Sequence, residues 1–299
     1  MSVEYNGCVA SRIDGTSTYR AFQGHSLREH AMRLRSLLSS RGMTGLTLAG
    51  VLGLGWSGPS ALAAPPEGYG TIKGRLVWGG PAAPDRQPID VSKNNDAKAC
   101  SKTTLLDPEL IVDKETKGVA NAFAYLPTPK GKNADLEKKL VADHPKVLID
   151  QVDCEFVPLS TAVFKDQEVE FKSSDPVGHN VHYIGFANND NFALGPNKTR
   201  DKKMVPDKRA INLVCDIHPW MKGNLMVFNH PFFAVTGKDG SFEIQGVPAG
   251  EQSVIVWQRL GGYVTEGGSK GVTVNVKAGE VIDLGDIKLD PTKVEKAKK

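Results

Sequence analysis

The sequence predicts an all-β protein. Short apolar and β-branched runs recur along it, bounded by Gly, Pro, Asn and Asp, which is the punctuation of strands and turns. No long stretch holds a helical period, and no internal repeat is visible. The chain has 299 residues, enough for two small domains once a leader is set aside.

Residues 1–63 read as an N-terminal extension and secretory signal. A basic stretch from Arg33 to Arg41 precedes the apolar run Met43 to Trp56, which ends at Ala61-Leu62-Ala63, an A-x-A cleavage site. That run is too short and too rich in glycine for a stable membrane span. Met32 is an expected alternative start to Met1. Removing the leader takes away six of the 37 basic residues and three of the 34 acidic ones, leaving 31 of each. A balanced mature chain lacks the electrostatic footprint of a nucleic-acid binder.

After the leader, residues 64–110 open with a strand expected over Thr71 to Trp78 and continue as a loop segment. Strands are expected at Ala120 to Leu126, Val147 to Gln151, Val169 to Lys172, Val181 to Ile184, Ala210 to Val214 and Asn224 to Phe228, within a domain of residues 111–229. Residues 230–290 carry further strands at Ser241 to Ile244, Ser253 to Gln258, Val272 to Val276 and Val281 to Leu289. The charged stretch Asn133 to Asp143 fits a short surface helix. Segments 80–108 and 188–208 are rich in Pro, Asn, Asp and Lys and are expected to be loops, and the basic tail 291–299 to be frayed.

The chemistry is concentrated in two motifs. Gly178-His179-Asn180-Val181-His182 is followed, further along, by Val214-Cys215-Asp216-Ile217-His218-Pro219-Trp220-Met221. One histidine, then Cys-x2-His-x2-Met, is the ligand order of a mononuclear blue-copper site. A thiolate and two imidazoles suit copper in both oxidation states, and a long, weak thioether bond tunes the potential. Zinc is the rival, through His179, His182, Cys215 and His218. In a strand, however, positions 179 and 182 face opposite ways, which leaves His182 outside the ligand set. His144 and His230 stand alone beside prolines and read as surface or structural residues.

The segment Val147 to Met226 resembles the cupredoxin family, most closely its amicyanin and pseudoazurin branch, with plastocyanin as a further likeness. The likeness lies in Val147-Leu148-Ile149-Asp150, Thr161 to Phe171, His179 to His182 and the loop Cys215 to Gly223. It implies a Greek-key β-sandwich with His179, Cys215 and His218 as equatorial ligands of one type 1 copper and Met221 as the axial one. Asn180 would tie the two ligand segments together by hydrogen bonds. The chain departs from the family before the cysteine, where Ile211-Asn212-Leu213-Val214 lacks the usual aromatic. Farther on, Asp239-Gly240-Ser241-Phe242-Glu243-Ile244, Val247-Pro248-Ala249-Gly250 and Ser253-Val254-Ile255-Val256-Trp257 resemble the carboxypeptidase regulatory-like, or transthyretin-like, sandwich. The strand at Thr71 to Trp78 is expected to complete that second sandwich.

Cysteine arithmetic adds to this. Cys8 leaves with the leader, so the mature chain keeps Cys100, Cys154 and Cys215. An odd count in an oxidising compartment leaves one thiol for another task. Cys215 is assigned to the metal and Cys100–Cys154 to a disulfide; three free, buried thiols are the alternative.

The expected function is that of an exported electron carrier, in the periplasm or another exported compartment, cycling Cu(II) and Cu(I) and exchanging electrons with redox partner proteins through an exposed edge of His218. No nucleic acid and no membrane span are expected after signal cleavage. An enzyme is disfavoured, because a trinuclear copper cluster needs more histidines and Cys215 lies between Val214 and Asp216 rather than two histidines. Copper binding or delivery, or a cupredoxin-fold binding module without a redox role, is the alternative.

Overall fold

The computed structural model describes residues 68–299 in full and, before them, the backbone of three short strands. The chain divides into two compact units, Met1–Ala64 and Pro65–Lys299. In the first, β1 (Val3–Tyr5), β2 (Cys8–Ile13) and β3 (Thr16–Ala21) form an antiparallel sheet in that order. Met32, the apolar run Met43 to Trp56 and the cleavage site at Ala63 lie outside the described residues.

The regular structure of the second unit is mostly strand, arranged in several sheets. One sheet runs β11 (Asn189–Leu194), β10 (His179–Ile184), β13 (Ile211–Val214), β14 (Lys222–Phe228), β8 (Ser160–Phe164). Its last pair is parallel and the others are antiparallel. A second sheet runs β12 (Thr199–Lys203), β9 (Glu168–Ser173), β6 (Lys146–Val152), β7 (Glu155–Val157). Alternation sets which face each strand buries: in β9 Val169, Phe171 and Ser173 are buried while Glu168, Glu170 and Lys172 are only partly covered. Phe171 stacks on Tyr183 of β10 at 5.9 Å and meets Phe192 of β11 edge-on at 5.8 Å, joining the two sheets through aromatic packing.

A third sheet runs β15 (Phe233–Val235), β5 (Phe123–Tyr125), β17 (Gly250–Gln258), β18 (Gly262–Tyr263), with β19 (Val272–Val276) also on β17. The fourth places β4 (Tyr69–Trp78) between β16 (Ser241–Pro248), antiparallel, and β20 (Val281–Leu289), parallel. Both faces of β5 are buried. Phe123 and Tyr125 pack with Phe164, Met226 and Phe228, while Ala124 lies in a cluster with Ile72, Leu76 and Val254.

Among the described residues helices are few and short: α1 (Ala97–Cys100), α2 (Ala134–Asp143) and α3 (Pro291–Ala297), besides one 3-10 turn. The Asn133 side chain accepts a bond from Leu136 N and so caps α2. No described helix is long and apolar enough to cross a membrane.

Two expectations need correction. Segment 188–208 is not simply loop, since β11 and β12 lie within it; Lys202 pairs with Asp190 at 2.6 Å and Arg200 lies over the Phe192 ring, so polar side chains here cover a sheet. The tail is a helix rather than frayed, because Asp290 caps it, Pro291 opens it and Val294 is buried.

Candidate metal centre

Two β-segments build the site. His179 is the first residue of β10, with His179, Val181 and Tyr183 on its inward face. Cys215 and Met221 bracket the turn between β13 and β14. Because Val214 pairs with Lys222, that turn is short, and it closes on itself. Met221 N donates to His218 O at 2.9 Å, and Cys215 N donates to Met221 O at 3.3 Å. His179, Cys215, His218 and Met221 are all buried.

Three donor atoms converge. The Nδ1 atoms of His179 and His218 are 2.9 Å apart, and Cys215 Sγ lies 3.9 and 3.8 Å from them. The point equidistant from all three lies about 2.1 Å from each, the length of a metal–nitrogen bond and slightly less than a metal–sulfur one. Each imidazole is held from behind: His179 Nε2 faces Asp175 Oδ2 at 2.9 Å, and His218 Nε2 faces Asp96 Oδ2 at 3.1 Å. A carboxylate on Nε2 keeps the proton there and leaves the Nδ1 lone pair for a metal.

The electrostatics suit a metal thiolate. Burial pushes the Cys215 thiol up, but bonds with His179 and His218 outweigh it and bring the pKa down to about 6. Burial pushes His179 down, and the Asp175 carboxylate with the Cys215 thiolate more than offset this, raising it to about 9. Asp175, although burial raises it, is held below the ordinary carboxylate range by His179 and by the backbone N–H groups of Cys154 and Asp153.

Asn180 bridges the two segments. Its Oδ1 accepts from Asp216 N at 2.7 Å and from Cys215 Sγ at 3.3 Å, while its Nδ2 donates to Asp216 and Asn191. His182 lies on the opposite face of β10, where its Nδ1 meets Asp216 Oδ1 at 3.1 Å, apart from the three donors. Cys100 and Cys154 form a disulfide, with S–S 2.05 Å and a separation of 54 residues. Cys154, Asp175 and His179 also approach one another, but the Cys154 sulfur is committed to that disulfide. His144 caps the end of α2, and His230 is buried against Phe228 and Phe232.

The expected exposed edge of His218 is not there. The residue is 0% exposed, because Asp96 covers Nε2 and the Trp220 ring lies 5.1 Å away. Sequence reasoning missed both carboxylates behind the imidazoles. Asp175 lies four residues before its histidine, in no recognisable motif, and Asp96 lies 122 residues before His218.

No family model matches this chain, and no curated protein matches it. Among solved structures, a copper-containing nitrite reductase from Thermus scotoductus SA-01 is 23% identical over 28% of this chain, with a TM-score of 0.25; the match spans 22% of that protein's length. A purple cupredoxin from Nitrosopumilus maritimus is 18% identical, with a TM-score of 0.24, over 28% of this chain and 98% of its own. A reduced amicyanin variant is 17% identical, with a TM-score of 0.25, over 35% of this chain and 98% of its own. The likeness is thus confined to part of the chain.

Proposed function

We propose that this chain is an exported copper-binding protein. One copper ion would be held by His179 Nδ1, His218 Nδ1 and Cys215 Sγ, with the thioether of Met221 as a weak axial ligand. The observation that supports this reading most directly is the triangle of buried donors, 2.9, 3.8 and 3.9 Å on its sides, with both imidazoles held from behind by carboxylates. One thiolate and two imidazoles favour copper over the hard cations. A structural zinc site would want a fourth strong ligand, and His182 is engaged with Asp216 instead.

Bound copper would supply one-electron chemistry between Cu(II) and Cu(I). Electron transfer to redox partner proteins is therefore the second reading, favoured by a buried set of one thiol and two imidazoles, which suits copper in both oxidation states. The protein is read as a carrier or binder rather than an enzyme, since Met221 would occupy the position a substrate needs. The C-terminal sheets are read as a transthyretin-like sandwich serving spacing, docking or stability, with β4 as its first strand.

A visible absorption spectrum of the chain loaded with Cu(II), repeated after ascorbate, tests these readings. An intense thiolate-to-copper band supports the copper site, and its reversible bleaching supports electron transfer. A colourless product leaves a binding shell for another metal or for none.

A further inference from the structure

We infer that Asp96 is a positioning residue for His218, carried on a disulfide-held loop that covers the outer edge of the metal centre. The inference rests on the copper-binding reading proposed above. Residues 88–106 form a loop closed at its neck, where Ile89 N donates to Leu105 O at 2.9 Å, and Asp107 N to Gln87 O at 2.9 Å. Arg86 reinforces the neck through bonds to the carbonyls of Leu106 and Asp107, at 2.7 and 2.8 Å. Such a loop, with its ends together, is a compact surface element able to carry function.

Its far end lies on the ligand turn. Asn94 Nδ2 donates to Ile217 O at 3.3 Å, and Asn94 Oδ1 accepts from Asp96 N at 2.9 Å, shaping the turn that presents Asp96. Asp96 Oδ2 then meets His218 Nε2 at 3.1 Å. A few residues on, Cys100 is bonded to Cys154, whose carbonyl oxygen accepts from Trp220 Nε1 at 3.2 Å. The loop is thus fastened to both sides of the turn that carries three candidate ligands. The result is a buried His218 beside an Asp96 side chain 32% exposed: the carboxylate, not the imidazole, meets solvent.

Two consequences follow from the geometry. The carboxylate fixes which nitrogen of His218 is free to ligate, and partners of this kind are worth about 10–100-fold in metal affinity. The loop also shields the imidazole from reagents, whether or not a metal is bound.

Footprinting of the metal-free full chain with diethyl pyrocarbonate, mapped by peptide mass, reads the cover directly. His218 is expected to react at least about tenfold more slowly than the partly exposed His182. Asp96→Ala, and separately the pair Cys100→Ser with Cys154→Ser, are each expected to raise the His218 rate about tenfold. Thermal melts establish that each variant is folded. Copper titration against a competing chelator reads the positioning: Asp96→Ala should weaken affinity about tenfold, and Asp96→Asn, whose amide oxygen still accepts from Nε2–H, should recover most of it. Wild-type His218 reacting as fast as His182 overturns the cover. Unchanged affinity in Asp96→Ala overturns the positioning role. Wild type that takes up no copper sinks the metal reading and the positioning role together, while the footprint still decides the cover.

Discussion

Cys215 is the residue on which the candidate metal centre turns. It is the one free cysteine among residues 68–299, buried, with its pKa brought down to about 6 by two imidazoles. Cys215→Ser is expected to remove the visible band of the copper-loaded chain, because an alkoxide does not replace the thiolate at neutral pH. A variant that keeps an intense band would show that another sulfur carries the colour. Met221→Leu removes only the thioether from a buried site. The colour should survive while the reduction potential rises, which voltammetry would read directly. His179, Cys215 and His218, whose donor atoms converge, were legible in the sequence because they lie at one strand start and on one turn. The carboxylates behind them were not: Asp96 reaches His218 across 122 positions, and local pattern does not encode such a contact.

Strands announced themselves where alternation was strong. β9 and β10 occur almost where the pattern puts them, since one face of each packs into an apolar interior. β12 did not, because Thr199–Lys203 is polar throughout and takes its strand form from pairing with β9. The Asp239-Gly240 turn leading into β16 was readable from its residues alone. Gly240 has φ of +79°, and a Cβ there would lie 2.0 Å from the Leu76 carbonyl oxygen. Gly240→Ala should therefore cost about 1–3 kcal/mol of stability, measurable by denaturant unfolding. A loss below about 0.5 kcal/mol would mean that β4 and the turn separate without penalty.

At the scale of the whole molecule, His230 ties stability to pH. It is 8% exposed, its Nδ1 accepts from Phe232 N at 3.2 Å, and burial pulls its pKa from 6.5 down to about 4. Between those values the unfolded chain binds a proton that the folded chain refuses. This contribution is therefore complete above pH 6.5 and is lost as pH falls towards 4, by roughly 3 kcal/mol at most. Carboxylates held low, such as Asp175, lose stability in the same direction on further acidification. His230→Asn should flatten the dependence of Tm on pH between 6.5 and 4; an unchanged slope would assign the effect to the carboxylates alone.

The double burial of β5 sets a limit on how this chain can be taken apart. Phe123 and Tyr125 fill one apolar cluster with Phe164, Met226 and Phe228, while Ala124 belongs to another with Ile72, Leu76 and Val254. One short strand is thus shared property. Trimming the chain to the sheets that hold the candidate ligands would strip the aromatic floor beneath β8 and β14 and leave a sticky face to water. Those sheets could be inherited or borrowed on their own only with the bared face rebuilt in polar residues.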